Sequence, residues 1–108
     1  MTTEIAQTIL GQMGGIRSIT LLTSAKDFLD HGNGVSFKFK GSKTVNYVKV
    51  VLNAMDTYDV EFGKISMKKA EFGVKMPEYN KVKEFDDIYN DQLKGTFEQF
   101  TGLYLSLF

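Results

Sequence analysis

Across residues 35–62 apolar and polar side chains alternate through three runs separated by turn chemistry, and this pattern constrains the fold more than any other feature of the chain. In Val35-Ser36-Phe37-Lys38-Phe39-Lys40 every second side chain is large and apolar, the period-2 signature of a strand with one buried and one wet face. The second run, 46–53, puts Val48, Val50 and Leu52 on one side and Tyr47, Lys49 and Val51 on the other, and Gly41-Ser42-Lys43-Thr44 supplies the hairpin loop before it. The third, 57–67, points Tyr58, Val60 and Phe62 inward and Asp59 and Glu61 outward, with Gly63 placed for a bulge. Phe72-Gly73-Val74-Lys75-Met76 alternates again and predicts a fourth short strand ending at Pro77. Loops this short imply an antiparallel meander.

The flanks read as helical. Thr2 or Thr3 caps a helix carrying Ile5, Ile9 and Leu10, which stops before Gly14-Gly15. Ile16, Ile19, Leu21 and Leu22 fit neither period cleanly, so 16–22 is compatible with helix or strand, and helix is the reading adopted. Ser24 is expected to cap one or two helical turns through Ala25-Lys26-Asp27-Phe28-Leu29, closed by Gly32-Asn33-Gly34. From 81 to 101 the period predicts a long helix: Val82, Phe85, Ile88, Tyr89, Leu93, Phe97 and Phe100 form one stripe, Glu84, Asp86, Asp87, Asp91 and Glu98 lie opposite, and Gly102 sits at C′. The expected architecture is one α+β domain over 1–108. An antiparallel three- to four-stranded meander sheet is covered on one face by an N-terminal helical segment and the long C-terminal helix.

Phe37, Val50, Val60 and Phe97 are the predicted core. The tail at 103–108 is too apolar to be left in water. Docking Leu103, Leu105 and Leu107 on the core would leave Tyr104 or Phe108 available to a second subunit or a target; in the other arrangement the tail itself is an interface.

The formal net charge is zero, from 13 basic and 13 acidic residues, which argues against a strongly basic nucleic-acid binder and against a polyanionic mimic. An asymmetry lies beneath it. Residues 35–75 carry a net charge of plus four and residues 76–108 a net of minus three. Cysteine is absent, so there is no disulfide framework, thiolate metal site or cysteine nucleophile, in keeping with a reducing compartment. Residues 1–10 hold Glu4, no basic residue and only spaced apolar positions; no signal peptide or membrane span is expected, and the cytoplasm is the expected location.

Chemistry is scarce. The single histidine, His31, has Asp27 and Asp30 nearby but sits beside Gly32-Asn33-Gly34, and a solvated loop side chain is expected rather than a base or ligand. Asp86, Asp87 and Asp91 lack a calcium-loop pattern and read as a solvated helix face. Gly11, Gly14 and Gly15 lack the Lys-Ser/Thr of a phosphate loop and read as a helix stop. No catalytic residue, metal ligand or cofactor is expected. One surface constellation stands out: Lys38, Lys40, Tyr47 and Lys49 combine cations with a ring, as single-stranded nucleic-acid platforms do. Asp59 and Glu61 fall on the same face and are expected to pair with those lysines, as on an ordinary wet sheet.

Residues 56–62 (Asp-Thr-Tyr-Asp-Val-Glu-Phe), 88–93 (Ile-Tyr-Asn-Asp-Gln-Leu) and 101–107 (Thr-Gly-Leu-Tyr-Leu-Ser-Leu), with Ile-Leu-Gly-Gln-Met-Gly-Gly near the start, resemble small uncharacterised proteins encoded by bacteriophages and related mobile elements. The resemblance implies a phage accessory protein in a host cytoplasm and carries no activity. The expected function is a non-enzymatic module that binds a host or phage protein, or itself; the alternative is single-stranded nucleic-acid binding through the lysine face.

Overall fold

The computed structural model describes residues 4–69 and 71–105. Two short helices, α1 (Glu4–Gln12) and α2 (Ile16–Thr23), precede five strands: β1 (Lys26–Asp30), β2 (Gly34–Lys38), β3 (Tyr47–Leu52), β4 (Tyr58–Lys69) and β5 (Lys75–Ile88). A third helix, α3 (Leu93–Thr101), follows. The strands form one antiparallel sheet in the order β1-β2-β3-β4-β5, so the meander holds, with more strands than expected.

Alternation builds the core as the sequence predicts. Phe37, Val48, Val50, Val60 and Phe62 are buried from the sheet, and Ala6, Ile9, Met13, Ile19, Leu93 and Phe97 are buried from the helices. Phe97 is the hub, its ring centroid 5.1 Å from Phe39, 6.0 Å from Phe62 and 6.3 Å from Phe37. A fully buried side chain of this size contributes roughly 1.5–3 kcal/mol from apolar burial alone.

Gly14 and Gly15 end α1 as a pair with positive φ, at 113° and 95°, and the Gly15 N–H donates to the Leu10 carbonyl. The turn at Gly14 also admits the tail, because a Cβ there would lie 2.8 Å from the Leu105 carbonyl oxygen. Leu105 is fully buried, its N–H donating to Glu98 Oε2 at 2.7 Å, while Leu103 packs partly buried against the core. The leucines that can be followed therefore dock inward. Thr2, Thr3, Leu107 and Phe108 lie outside the described residues.

Two expected helical segments are strands. The segment read as a helix starting at Ser24 is β1, and Ser24 instead ends α2 in a left-handed conformation at φ 54°. The long helix over 81–101 is the second half of β5 followed by the nine-residue α3, closed by Gly102 as expected. The short strand expected at 72–76 is a tight turn, Glu71–Gly73, leading into β5.

Both misread strands lie at the edges of the sheet and both are bulged. In β5, Ile88 pairs with Tyr58 and Phe85 with Val60, so three steps on β5 match two on β4. The surplus residue turns a period of two into a spacing of three, which imitates a helix. The register of β1 shifts in the same way between Lys26 and Leu29. Each bulge contains an aspartate with positive φ, Asp87 at 57° and Asp27 at 56°, a conformation that Asp tolerates better than most residues.

Candidate functional site

The hairpin of β4 and β5 runs past the rest of the sheet. Beyond Gly63, β4 has no β3 partner, and Asn46 substitutes for one: its Oδ1 accepts from the Ile65 N–H at 2.7 Å and its Nδ2 donates to the Ile65 carbonyl at 2.8 Å. After that clip the described arm is held by contacts between its own two strands, the ladder from Ser66↔Glu78 to Lys69↔Lys75 and the Lys68–Glu78 ion pair at 3.0 Å. β5 has 14 residues, about 45 Å at strand rise, comparable with the 47 Å long dimension of the molecule. Pro77, opposite Met67, is tolerated because β5 is an edge.

Met67, Phe72, Val74 and Met76 are all exposed on this arm. Phe72, at the tip, is 98% exposed and adopts φ 64°. The left-handed region costs an L-residue roughly 1–2 kcal/mol, and a bulky ring gains nothing there from packing.

The constellation of Lys38, Lys40, Tyr47 and Lys49 is divided between two concavities. Tyr47 and Lys49 line one with Glu61, Ile65 and Tyr79. There the Tyr47 ring stands edge-on to Tyr79 at 5.2 Å, and the Tyr79 hydroxyl donates to Glu61. Partial desolvation, and then that hydrogen bond, push the Tyr79 phenol well above its ordinary range, so it remains a donor. Lys38 and Lys40 line the other, a cleft of about 420 Å³ to which Lys26 and Lys64 also contribute.

The expected pairing of Asp59 and Glu61 with these lysines is not formed. Glu61 stands opposite Lys49 in the ladder but is engaged by Tyr79. Asp59 Oδ1 accepts from Asn53 Nδ2 at 3.0 Å and from the Asp87 N–H at 3.3 Å. The partner of Lys38 is the bulge residue Asp27, at 3.3 Å. Both groups are half exposed, so this pair adds little stability.

His31 is less solvated than a loop position suggests. Its Nε2 lies 2.8 Å from Ser36 Oγ. Partial burial, then the charge of Lys49, lower its pKa from 6.5, with Asp30 opposing. Among the described residues no group of three or more His, Asp or Glu could hold a metal ion, and no helix is long and apolar enough to cross a membrane. Asp86, Asp87 and Asp91 are divided between the end of β5 and the turn before α3, and Asp87 belongs to the network around Asn53. Tyr104 is 74% exposed between the two inward leucines.

Sequence reasoning missed Lys26, because its segment was read as helix, and missed the arm, because β5 was read as two elements. The run of Lys64, Lys68, Lys69 and Lys75 around an uncovered Phe72 was the available signal. No protein-family model matches the chain, and neither a curated protein nor a solved structure matches it significantly.

Proposed function

We propose that this chain is a non-enzymatic interaction module that grips a protein partner with the tip of the β4–β5 arm. The observation that carries the reading is Phe72, a fully exposed ring in a left-handed backbone at the tip of an arm whose strands, from Ser66 to Met76, contribute no buried residue among those described. Water and backbone both oppose that placement, and an apolar pocket on a partner would offset the first cost. On the arm Lys68 is paired with Glu78, and Lys69 and Lys75 still outnumber Glu71, so the pocket on the partner has an acidic rim. The phage resemblance makes the partner a host or phage protein in a host cytoplasm. Tyr104 is a secondary contact, and Phe108 shares that role from outside the described residues.

Single-stranded nucleic-acid binding across Lys38, Lys40, Tyr47 and Lys49 has less support, because the residues line separate concavities and the Tyr47 ring is engaged by Tyr79. A photo-crosslinking amino acid at position 72, with one at exposed position 21 as control, tests the arm in producing cells. The reading predicts an adduct of defined mass from position 72 alone, lost on Met76→Ser. The same pattern from both positions, or none from either, contradicts it.

A further inference from the structure

A second feature lies beside the arm and does not depend on the protein-contact reading. Four lysines, Lys26, Lys38, Lys40 and Lys64, line the 420 Å³ cleft, and no Asp or Glu lines it among the described residues. They arrive from the start of β1, the end of β2 and the loop after it, and the middle of β4. Asp27 partly offsets Lys38 from the side. Lys26, Lys40 and Lys64 have no acidic partner among the described residues.

Gathering like charges from separate segments opposes folding unless an anion is taken up. The lining supplies hydroxyls as well, from Ser24 and Ser42. In the same loop the N–H groups of Gly41, Ser42 and Lys43 donate to no acceptor among the described residues. Ile65 and Met67 make part of the lining apolar. The volume falls in the range of small-molecule sites, roughly 300–1,000 Å³.

We propose that this cleft binds a phosphoryl-bearing ligand of nucleotide size, its phosphates on Lys26, Lys40 and Lys64 and its organic part against Ile65 and Met67. Lys38, already shared with Asp27, acts at longer range. Charge-assisted hydrogen bonds from several ammonium groups are the strong contacts such a ligand offers. They weaken as salt rises.

Amide-resolved NMR titration of the full chain with pyrophosphate, with ATP and with a short oligothymidylate tests the assignment. The amides of 24–26, 40–42 and 64–67 are expected to shift in a saturable manner. The double variant Lys40→Gln/Lys64→Gln should weaken binding by roughly tenfold or more, with the thermal midpoint of the free protein equal to or above that of the parent. ATP bound more tightly than pyrophosphate supports the apolar wall and a free nucleotide source. Oligothymidylate bound more tightly than ATP, with steep salt dependence, supports the phosphate site and assigns it to a nucleic-acid backbone. No shift at those amides with any probe, or equal affinity in the double variant, overturns the proposal.

Discussion

From Tyr58 to Phe62, β4 alternates between fully buried and half-buried side chains, whereas from Lys64 to Lys69 the same strand has no fully buried residue. The first half has β3 on one side, β5 on the other and the ring of Phe97 against Phe62. The second half has β5 alone, after the clip at Asn46. Both halves are strand, although the register to β5 shifts between Tyr58 and Val60 and again between Phe62 and Gly63, so the ladder sets conformation while burial sets stability. Side chains on the arm are free of packing constraints and can serve recognition, and those beside Phe97 cannot.

The largest effect is expected where the comparison is sharpest. Phe97→Ala should cost about 3–5 kcal/mol, because it opens a cavity among Phe37, Phe39 and Phe62. A denaturant midpoint barely moved would show that the helices do not close the core. Leu105→Ala should cost roughly 2–4 kcal/mol, since the side chain is fully buried against the turn at Gly14. If that variant unfolds like the parent, the tail lies outside the cooperative unit.

These core positions were legible in the sequence for a physical reason. Central strands bury one face completely, so Val48, Val50, Val60 and Phe62 had to alternate. Edge strands carry no such demand. In β5 only Phe85 and Ile88 pack against the core, three residues apart across the bulge at Asp87, and a helix period describes two such points equally well. The cleft was half legible. Lys38 and Lys40 were visible on β2, but Lys26 and Lys64 reach it through the bulged β1 and through β4 beyond Gly63, which depends on register rather than local pattern.

Smaller effects probe the joints between the regions. Asn53 Oδ1 accepts from the Met55 and Thr57 N–H groups, while its Nδ2 reaches Asp59 and the bulge residue Asp87. Asn53→Ala should therefore cost about 1–3 kcal/mol and increase exchange of the Asp87 amide. An unchanged exchange rate would show that the β5 bulge is held without this network. Phe72→Gly should raise stability by about 1 kcal/mol, because glycine accepts the left-handed tip without strain. A loss of stability would mean that the ring supports the fold, which the proposed docking role forbids.

The smallest effect is a pH dependence. The His31 pKa is lower folded than unfolded, so the unfolded chain binds the proton first and stability falls as pH drops from about 6.5 through the depressed folded value. His31→Gln should flatten that part of the stability profile and leave it unchanged above neutral pH. A profile as steep as that of the parent would assign the acid sensitivity to other groups.

Amide hydrogen exchange across β4 in the free protein, followed at increasing sub-denaturing urea, tests most directly whether one strand serves two purposes. The amides of residues 58–62 should exchange only through global unfolding, with a steep denaturant dependence. Those of 66–69 should exchange through local opening of the arm, faster and almost independent of urea. Equal protection and equal denaturant dependence along the whole strand would contradict the account, because the arm would then belong to the core.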